Sequence, residues 1–305
     1  MKPFVLIVGP TGCGKSALAL ALAEKFAGGI LNCDSIQTYQ RLNIGAAKPT
    51  SAEMARVPHF LFDAIPAGEV LTAGDFRKMA MEILQRELPR RMLFGPGGSG
   101  FYIQALEKGM FDVPKPDPEV DRVVRAECAA LGLAGIYREL QRLDPAYAED
   151  LNPQDAYRIT RALVIMRDSG RKVSELRREF KPQPFPFPLL KLGLSPSRDE
   201  LEPRIRRRTQ AMLDSGLVAE AQSLVQDGFG EWPALQSVGY RETLAYLRGE
   251  INEQRLTELI VEKTLQLAKK QKTWFKRDAE IQWLPVDEPL PQANKIVQEF
   301  LDRKC

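Results

Sequence analysis

Eight residues, Gly9-Pro-Thr-Gly-Cys-Gly-Lys-Ser16, constrain this chain more than any other stretch. They fit G-x-x-x-x-G-K-[ST] in full, in the context that gives the pattern meaning. The apolar run Phe4–Val8 precedes them, as expected of a strand buried on both faces of a parallel sheet. A helical pattern follows from Lys15 to about Phe26. A strand, a tight glycine turn and a helix start aim backbone N–H groups at one point, which favours anionic oxygens. Gly9, Pro10, Thr11, Gly12, Cys13, Gly14, Lys15 and Ser16 are therefore expected to hold phosphate or diphosphate. Lys15 supplies a point charge, and the Ser16 hydroxyl is the expected protein ligand for Mg²⁺.

The rest of the chain alternates strand and helix patterns, which implies a parallel sheet with right-handed crossovers. Ile30–Cys33 reads as a second strand, Phe60–Ile65 as a third, Asp75–Leu88 as a helix and Met92–Phe94 as a further strand. From Pro114 the character changes. Pro114, Pro116 and Pro118 open a region of helical patterns through Phe180, and the run Pro182–Pro188 closes it. Proline clusters on both sides read as hinges around an inserted domain. The expected architecture is α/β: a P-loop NTPase-like core from residues 1–113 and 189–305, with a helical insertion over 114–188. Leu189–Leu194 and Ile281–Leu284 read as strands of the core.

No apolar run approaches the roughly 20 residues a membrane helix needs, and no signal-peptide pattern opens the chain, so a cytoplasmic protein without membrane contact is expected. The four cysteines show no C-x-x-C spacing and there is one histidine, which excludes a zinc-site pattern. Net charge is only +3, so local patches matter more than the total.

No acidic residue ends the Met92–Phe94 strand; it runs into Gly95-Pro-Gly-Gly-Ser-Gly100. This argues against an ATPase motor or GTPase, which place a carboxylate there. Asp34, after the second strand, is then the carboxylate best placed to bind metal or accept a proton. Four arginines, Arg204, Arg206, Arg207 and Arg208, lie within five positions, a pattern suited to clamping phosphates. Residues 253–277 read as one long helix. Leu256, Ile260, Leu267 and Trp274 form its apolar stripe, and Lys269, Lys272 and Lys276 form a basic ridge suited to a nucleic-acid backbone.

Several stretches together resemble the tRNA dimethylallyltransferase family. Gly9–Ser16 is similar to its G-P-T-x-x-G-K-[ST] loop, and Asp34-Ser-Ile-Gln-Thr-Tyr39 to its D-S-x-Q-x-Y. Ile44–Pro49 is similar to I-G-T-A-K-P, and Gly97–Tyr102 to G-G-[ST]-G-x-Y. Asn152–Leu163 is similar to N-[PR]-x-D-x-x-R-x-x-R-A-L. Met212–Glu220, Val238–Glu242 and Ala268–Trp274 follow in the family's order, so the resemblance spans nearly the whole chain. Ala46, Asn43 and Phe60 stand where the family pattern has Thr, Asp and His.

The resemblance implies that the nucleotide-type loop holds dimethylallyl diphosphate rather than ATP. It implies transfer of the dimethylallyl group to the exocyclic amine of an adenosine beside the anticodon, with diphosphate released. Asp34 would be the base, with Thr11 and Arg208 at the diphosphate. Asp34, Ser35, Ile36, Gln37 and Ser99 would meet the target base of the tRNA anticodon stem-loop. Arg122, Tyr157, Arg158, Ile159, Thr160 and Arg161 would contact tRNA from the insertion. Ser237, Val238, Gly239, Tyr240, Arg241 and Glu242, with Lys269, Lys272 and Lys276, would contact it from the core. The enzyme is expected to act as a monomer. Two other classes share the loop and the aspartate: a nucleoside-type kinase, and an isopentenyltransferase for free adenine nucleotides. A third is a P-loop RNA-binding regulator without turnover.

Overall fold

The computed structural model describes residues 1–111 and 117–303; Pro114, Pro116 and Cys305 fall outside them. Two compact units are present: residues 1–107 with 185–305, and residues 108–184. The sequence reading set those limits at 114 and 188.

The first unit is built on a six-stranded sheet: β1 (Phe4–Val8), β2 (Gly29–Leu31), β3 (His59–Phe60), β4 (Leu93–Gly97), β5 (Leu189–Leu194) and β6 (Gln282–Leu284). The strand order is β3-β2-β4-β1-β5-β6 and every pairing is parallel. β1 lies at the centre, with Phe4 opposite Leu93 on one side and Leu189 on the other. All five β1 residues are buried, which is why its sequence runs apolar without alternation. Because the strands are parallel, the segments after β1, β2, β4 and β5 leave the sheet along one edge. Open parallel sheets place ligands at that edge.

Two strand readings change. Only His59–Phe60 joins the ladder where Phe60–Ile65 was expected. Leu61 and Asp63 adopt φ of 61° and 52°, which ends an extended run, and Ile65 returns only as a bridge to Tyr39. β4 instead outruns the expected Met92–Phe94, pairing Gly95, Pro96 and Gly97 with Leu6, Ile7 and Val8. Packing explains the glycines. A Cβ on Gly95 would lie 2.4 Å from the Phe4 ring, and one on Gly97 would lie 2.7 Å from Cβ of Cys33.

Helices α1 (Lys15–Lys25), α2 (Ser51–Met54), α3 (Ala73–Glu87) and α4 (Gly100–Lys108) follow the first strands. α3 begins one residue after Thr72, which forms a reciprocal capping box with Asp75. The core gathers Val5, Ile7, Leu22, Phe94, Leu190 and Leu192 beside the sheet.

The second unit is helical: α5 (Pro118–Leu143), α6 (Pro145–Glu149), α7 (Ala156–Ser169) and α8 (Val173–Glu179). α5 is interrupted at Gly132, whose φ of 67° no helix interior tolerates. Val124, Ile136, Leu140, Ile159, Leu163 and Val173 form its core. α7 buries Ile159, Ala162 and Leu163, and Met166 is half-buried.

The first unit resumes after Pro184. β5 is followed by α9 (Arg198–Asp214), α10 (Leu217–Gln226), α11 (Tyr240–Leu247), α12 (Glu253–Phe275), β6 and α13 (Pro289–Asp302). β5 carries one charge into the interior. Lys191 is 6% exposed and contacts Glu107 at 2.9 Å, Asp278 at 2.8 Å and Glu280 at 2.8 Å. Burial alone would pull its pKa down; hydrogen bonds to these carboxylates outweigh that and hold it above the ordinary value. Among the described residues no helix is long and apolar enough to cross a membrane.

Candidate active site

The phosphate loop is fixed by backbone constraints before any side chain acts. Gly9 has φ 148°, and a Cβ there would lie 2.3 Å from the Leu194 carbonyl oxygen. The loop therefore crosses tightly over the end of β5, which only glycine allows. Gly14, at φ 96°, caps α1 without a side-chain bond. The first amides of a helix have no intrahelical acceptor and so remain available to an anion. Lys15 Nζ donates to the carbonyls of Gly9 at 2.9 Å and Pro10 at 2.8 Å. Ser16 is exposed and Cys13 is buried.

Asp34 follows β2 in a loop organised by Asn32, which is wholly buried. Asn32 Nδ2 donates to Asp34 O, Thr38 Oγ1 and Leu61 O, and Asn32 Oδ1 accepts from the Asp34 amide at 2.9 Å. One oxygen of Asp34, Oδ1, accepts from the Ile36 amide at 2.9 Å. The side chain is half-buried. The Ser35 amide donates to Ser99 Oγ at 3.2 Å, so the loop after β2 meets the loop after β4. Gln37 Nε2 donates to the carbonyls of Ala46 and Ala47 at 3.0 and 3.1 Å. Burial first, then Asp34 and Glu107, push the Cys33 thiol pKa far above the ordinary value.

Of the four clustered arginines, Arg208 turns to the phosphate loop, where Nη1 donates to Thr11 Oγ1 at 3.2 Å. Burial lowers the pKa of its guanidinium and the Asp34 carboxylate opposes that, so Asp34 lies within electrostatic reach. Arg206 pairs with Glu202 and Glu258, and Arg207 is exposed. Thr11, Arg208, Asp34, Ser35 and Ser99 thus form one connected group.

Gln271 belongs to that group; sequence reasoning placed it in the Ala268–Trp274 motif but gave it no role. Its Oε1 accepts from the Thr11 amide at 2.8 Å and its Nε2 donates to Gly98 O at 2.9 Å. Asn32 was missed as well. Its only signal is a polar residue inside an apolar run, which matches the burial of an amide with all of its hydrogen-bond capacity in use.

Other expected contacts divide by burial. In the second unit Arg122, Tyr157 and Arg158 are exposed, Thr160 and Arg161 are half-buried, and the Ile159 side chain belongs to the core. Arg122 pairs with Glu119, and Arg158 with Asp155. In the first unit Ser237 and Val238 are half-buried and Arg241 is exposed, but Gly239, Tyr240 and Glu242 are buried. The Tyr240 hydroxyl donates to Glu220, and Glu242 accepts from the Gly239 amide at 2.7 Å, capping α11. These two side chains are scaffold rather than surface.

α12 also differs from its reading. Leu256 and Ile260 are buried, but the stripe continues through Val261, Ala268 and Phe275. Trp274 is 37% exposed. It packs on Gly100, where a Cβ would lie 2.5 Å from the indole. Lys269 and Lys276 are exposed, whereas Lys272 donates to Pro196 O at 3.0 Å. Lys269, Lys270 and Arg277 line a hollow beside Trp274, so exposed basic residues extend beyond the expected ridge.

The IPP transferase family model matches residues 37–278. A tRNA dimethylallyltransferase of Bdellovibrio bacteriovorus is 42% identical over 300 residues, covering 97% of each chain. One from a Synechococcus strain is 38% identical over 305 residues, covering 98% of this chain and 97% of the relative. Among solved structures, a eukaryotic dimethylallyltransferase acting on tRNA superposes with TM-score 0.82 at 26% identity, over 99% of this chain and 80% of the other. The tRNA isopentenylpyrophosphate transferase of Bacillus halodurans gives 0.72 at 28% identity, over 100% and 98%. With the phosphate loop, the Asp34 loop and the half-buried Arg208 joined at one sheet edge, and with relatives matching over nearly the whole chain, the chain belongs to the tRNA dimethylallyltransferase (IPP transferase) family.

Proposed function

We propose that this chain transfers the dimethylallyl group of dimethylallyl diphosphate to the exocyclic amine of an adenosine next to the anticodon of tRNA, releasing diphosphate. The single observation that carries this reading is the link from phosphate loop to carboxylate. Arg208 bonds Thr11 of the loop and feels the charge of Asp34, which follows β2 on the far side of β4. That arrangement supports reading a leaving-group site and a proton acceptor at the same edge of the sheet.

The chemistry follows from those groups. The adenine nitrogen forms a bond to the allylic carbon while the carbon–oxygen bond to diphosphate breaks. The amine's proton passes to Asp34, whose Oδ1 is already held by the Ile36 amide. Such general-base help contributes roughly 10²–10⁴-fold. Charge leaving with the diphosphate is met by Lys15, Arg208 and the amides at the start of α1. Lys15, which donates to the carbonyls of Gly9 and Pro10, is held at the loop where the diphosphate oxygens would sit.

The residues suit Mg²⁺ in one specific way. Among the described residues no group of three or more acidic, histidine or cysteine side chains could cage a metal. Mg²⁺ commonly relies instead on substrate phosphates, water and one or two protein oxygens, and the exposed Ser16 hydroxyl offers one. When bound there, the ion would add charge stabilisation to the diphosphate.

The target base must leave its stack to reach Asp34. Ser35, Gln37 and Ser99 line the approach within the first unit. Arg122, Tyr157 and Arg158 present an exposed surface on the second unit, and Lys269, Lys270 and Arg277 present another on the first. These surfaces suit RNA phosphates and bases. A tRNA substrate fits a cytoplasmic enzyme, and we take it to act as a monomer.

The test is incubation with undermodified tRNA and dimethylallyl diphosphate, followed by nucleoside mass analysis. A prenylated adenosine is the expected product. Turnover of ATP with a small acceptor and no prenyl product would contradict the reading.

A further inference from the structure

We infer that Gln271 is a positioning residue that clasps the phosphate loop to the loop after β4, setting the distance between the leaving group and the attacking base. The inference rests on the proposed prenyl transfer for its kinetic consequence, though not for its geometry.

The clasp uses both ends of one carboxamide. Oε1 takes the Thr11 amide at 2.8 Å and Nε2 gives to the Gly98 carbonyl at 2.9 Å. Only a side chain with a donor and an acceptor on one planar group satisfies both. A glutamate cannot donate to Gly98, and an asparagine is one methylene shorter. The fit is close: a Cβ on Gly98 would lie 2.6 Å from Gln271 Nε2. The amide therefore rests directly on backbone that only glycine leaves open.

The two loops it joins carry the two halves of the reaction. Thr11 continues to Arg208 through its hydroxyl, on the diphosphate side. Gly98 leads into Ser99, which accepts from the Ser35 amide beside Asp34, on the base side. α12 itself is anchored by Ala268 and Phe275 in the core and by Lys272 on Pro196, so Gln271 projects from a fixed support. The Thr11 amide is engaged here and is not among those left for phosphate. Gln271 thus acts on substrate through Thr11 and Gly98.

Misplacement of reacting groups by about 1 Å can cost on the order of 10²-fold in rate. Gln271→Met keeps the side chain's length and packing and removes both hydrogen bonds. The expected result is a kcat for prenyl transfer lower by about 10²-fold, with KM for tRNA within about twofold. Gly98→Ala, which displaces the same amide, should lower kcat in the same direction. A second readout needs no turnover: hydrogen exchange at the Thr11 amide should be slow in the wild-type chain and fast in Gln271→Met. A Gln271→Met enzyme with wild-type kcat, or a Thr11 amide that exchanges equally fast in both, would overturn the clasp. If the wild-type chain transferred no prenyl group while its Thr11 amide remained protected, the transferase reading would fail and the protected amide would still support the clasp.

Discussion

Glu220 shows how much a single carboxylate can organise. It accepts from the amides of Asn43, Ile44 and Gly45 and from the Tyr240 hydroxyl. The loop so held supplies the Ala46 and Ala47 carbonyls that orient Gln37. Gly45 has no room for a side chain, since a Cβ would lie 2.4 Å from the Tyr240 ring. The three amides facing Glu220 can only donate, so an amide nitrogen in its place would find no acceptor there but the Tyr240 hydroxyl oxygen. Glu220→Gln should therefore destabilise the chain by about 1 kcal/mol, the usual scale of a hydrogen bond lost at a half-buried site, read as a lower urea midpoint. An unchanged midpoint would show that the carboxylate is not needed. The sequence showed Glu220 only as one position of a family motif. Its role depends on a loop more than 170 residues away, which local pattern cannot reveal. Asp34, Arg208 and Lys15 were legible because each sits at a fixed offset from a strand end or a motif. Asn43 and Phe60, two of the departures from the family pattern, meet Lys48 and Arg86 in this fold.

At the scale of elements, β5 and α12 are the informative pair. β5 reads as an apolar strand apart from Lys191, whose partners Glu107, Asp278 and Glu280 come from other segments. Burial pushes the Glu107 carboxyl above its ordinary pKa while Lys191 pulls the other way. A folded pKa above the unfolded one means the folded state binds the proton more tightly. The stability from Glu107 is then complete below its unfolded pKa of about 4.3 and is lost as pH rises through the raised folded value. Glu107→Gln should flatten that part of the stability profile. Lys191→Met removes the opposing charge and leaves Glu107 unpaired, so it should cost about 3–5 kcal/mol at neutral pH and steepen the fall. Urea midpoints measured across this range check both, and a Lys191→Met profile matching wild type would refute the pairing. The long helix α12 was legible in extent because its apolar positions recur at helical spacing. Its facing was not. Trp274 kept the period yet packs on Gly100 at the surface, and Phe275 took the core position. Periodicity gives a stripe to within one residue, and a one-residue step turns a helix by about 100°.

For the whole molecule, the order of strands decides function. Placing β1 between β4 and β5, with β2 beyond β4, gathers the segments that carry Lys15, Asp34 and Ser99 along one edge. Strand-and-helix alternation made the parallel sheet legible, and proline clusters made an inserted helical unit legible. The pairing order was hidden, because it depends on contacts between segments far apart in sequence. The central claim is that Asp34 takes the proton from the tRNA amine while the neighbouring loop holds the departing diphosphate. Single-turnover prenyl transfer by Asp34→Asn, measured beside tRNA affinity for the same variant, tests it most directly. Transfer should fall by at least about 10²-fold with tRNA affinity within about twofold of wild type. Transfer at the wild-type rate would contradict the assignment of Asp34 as the base.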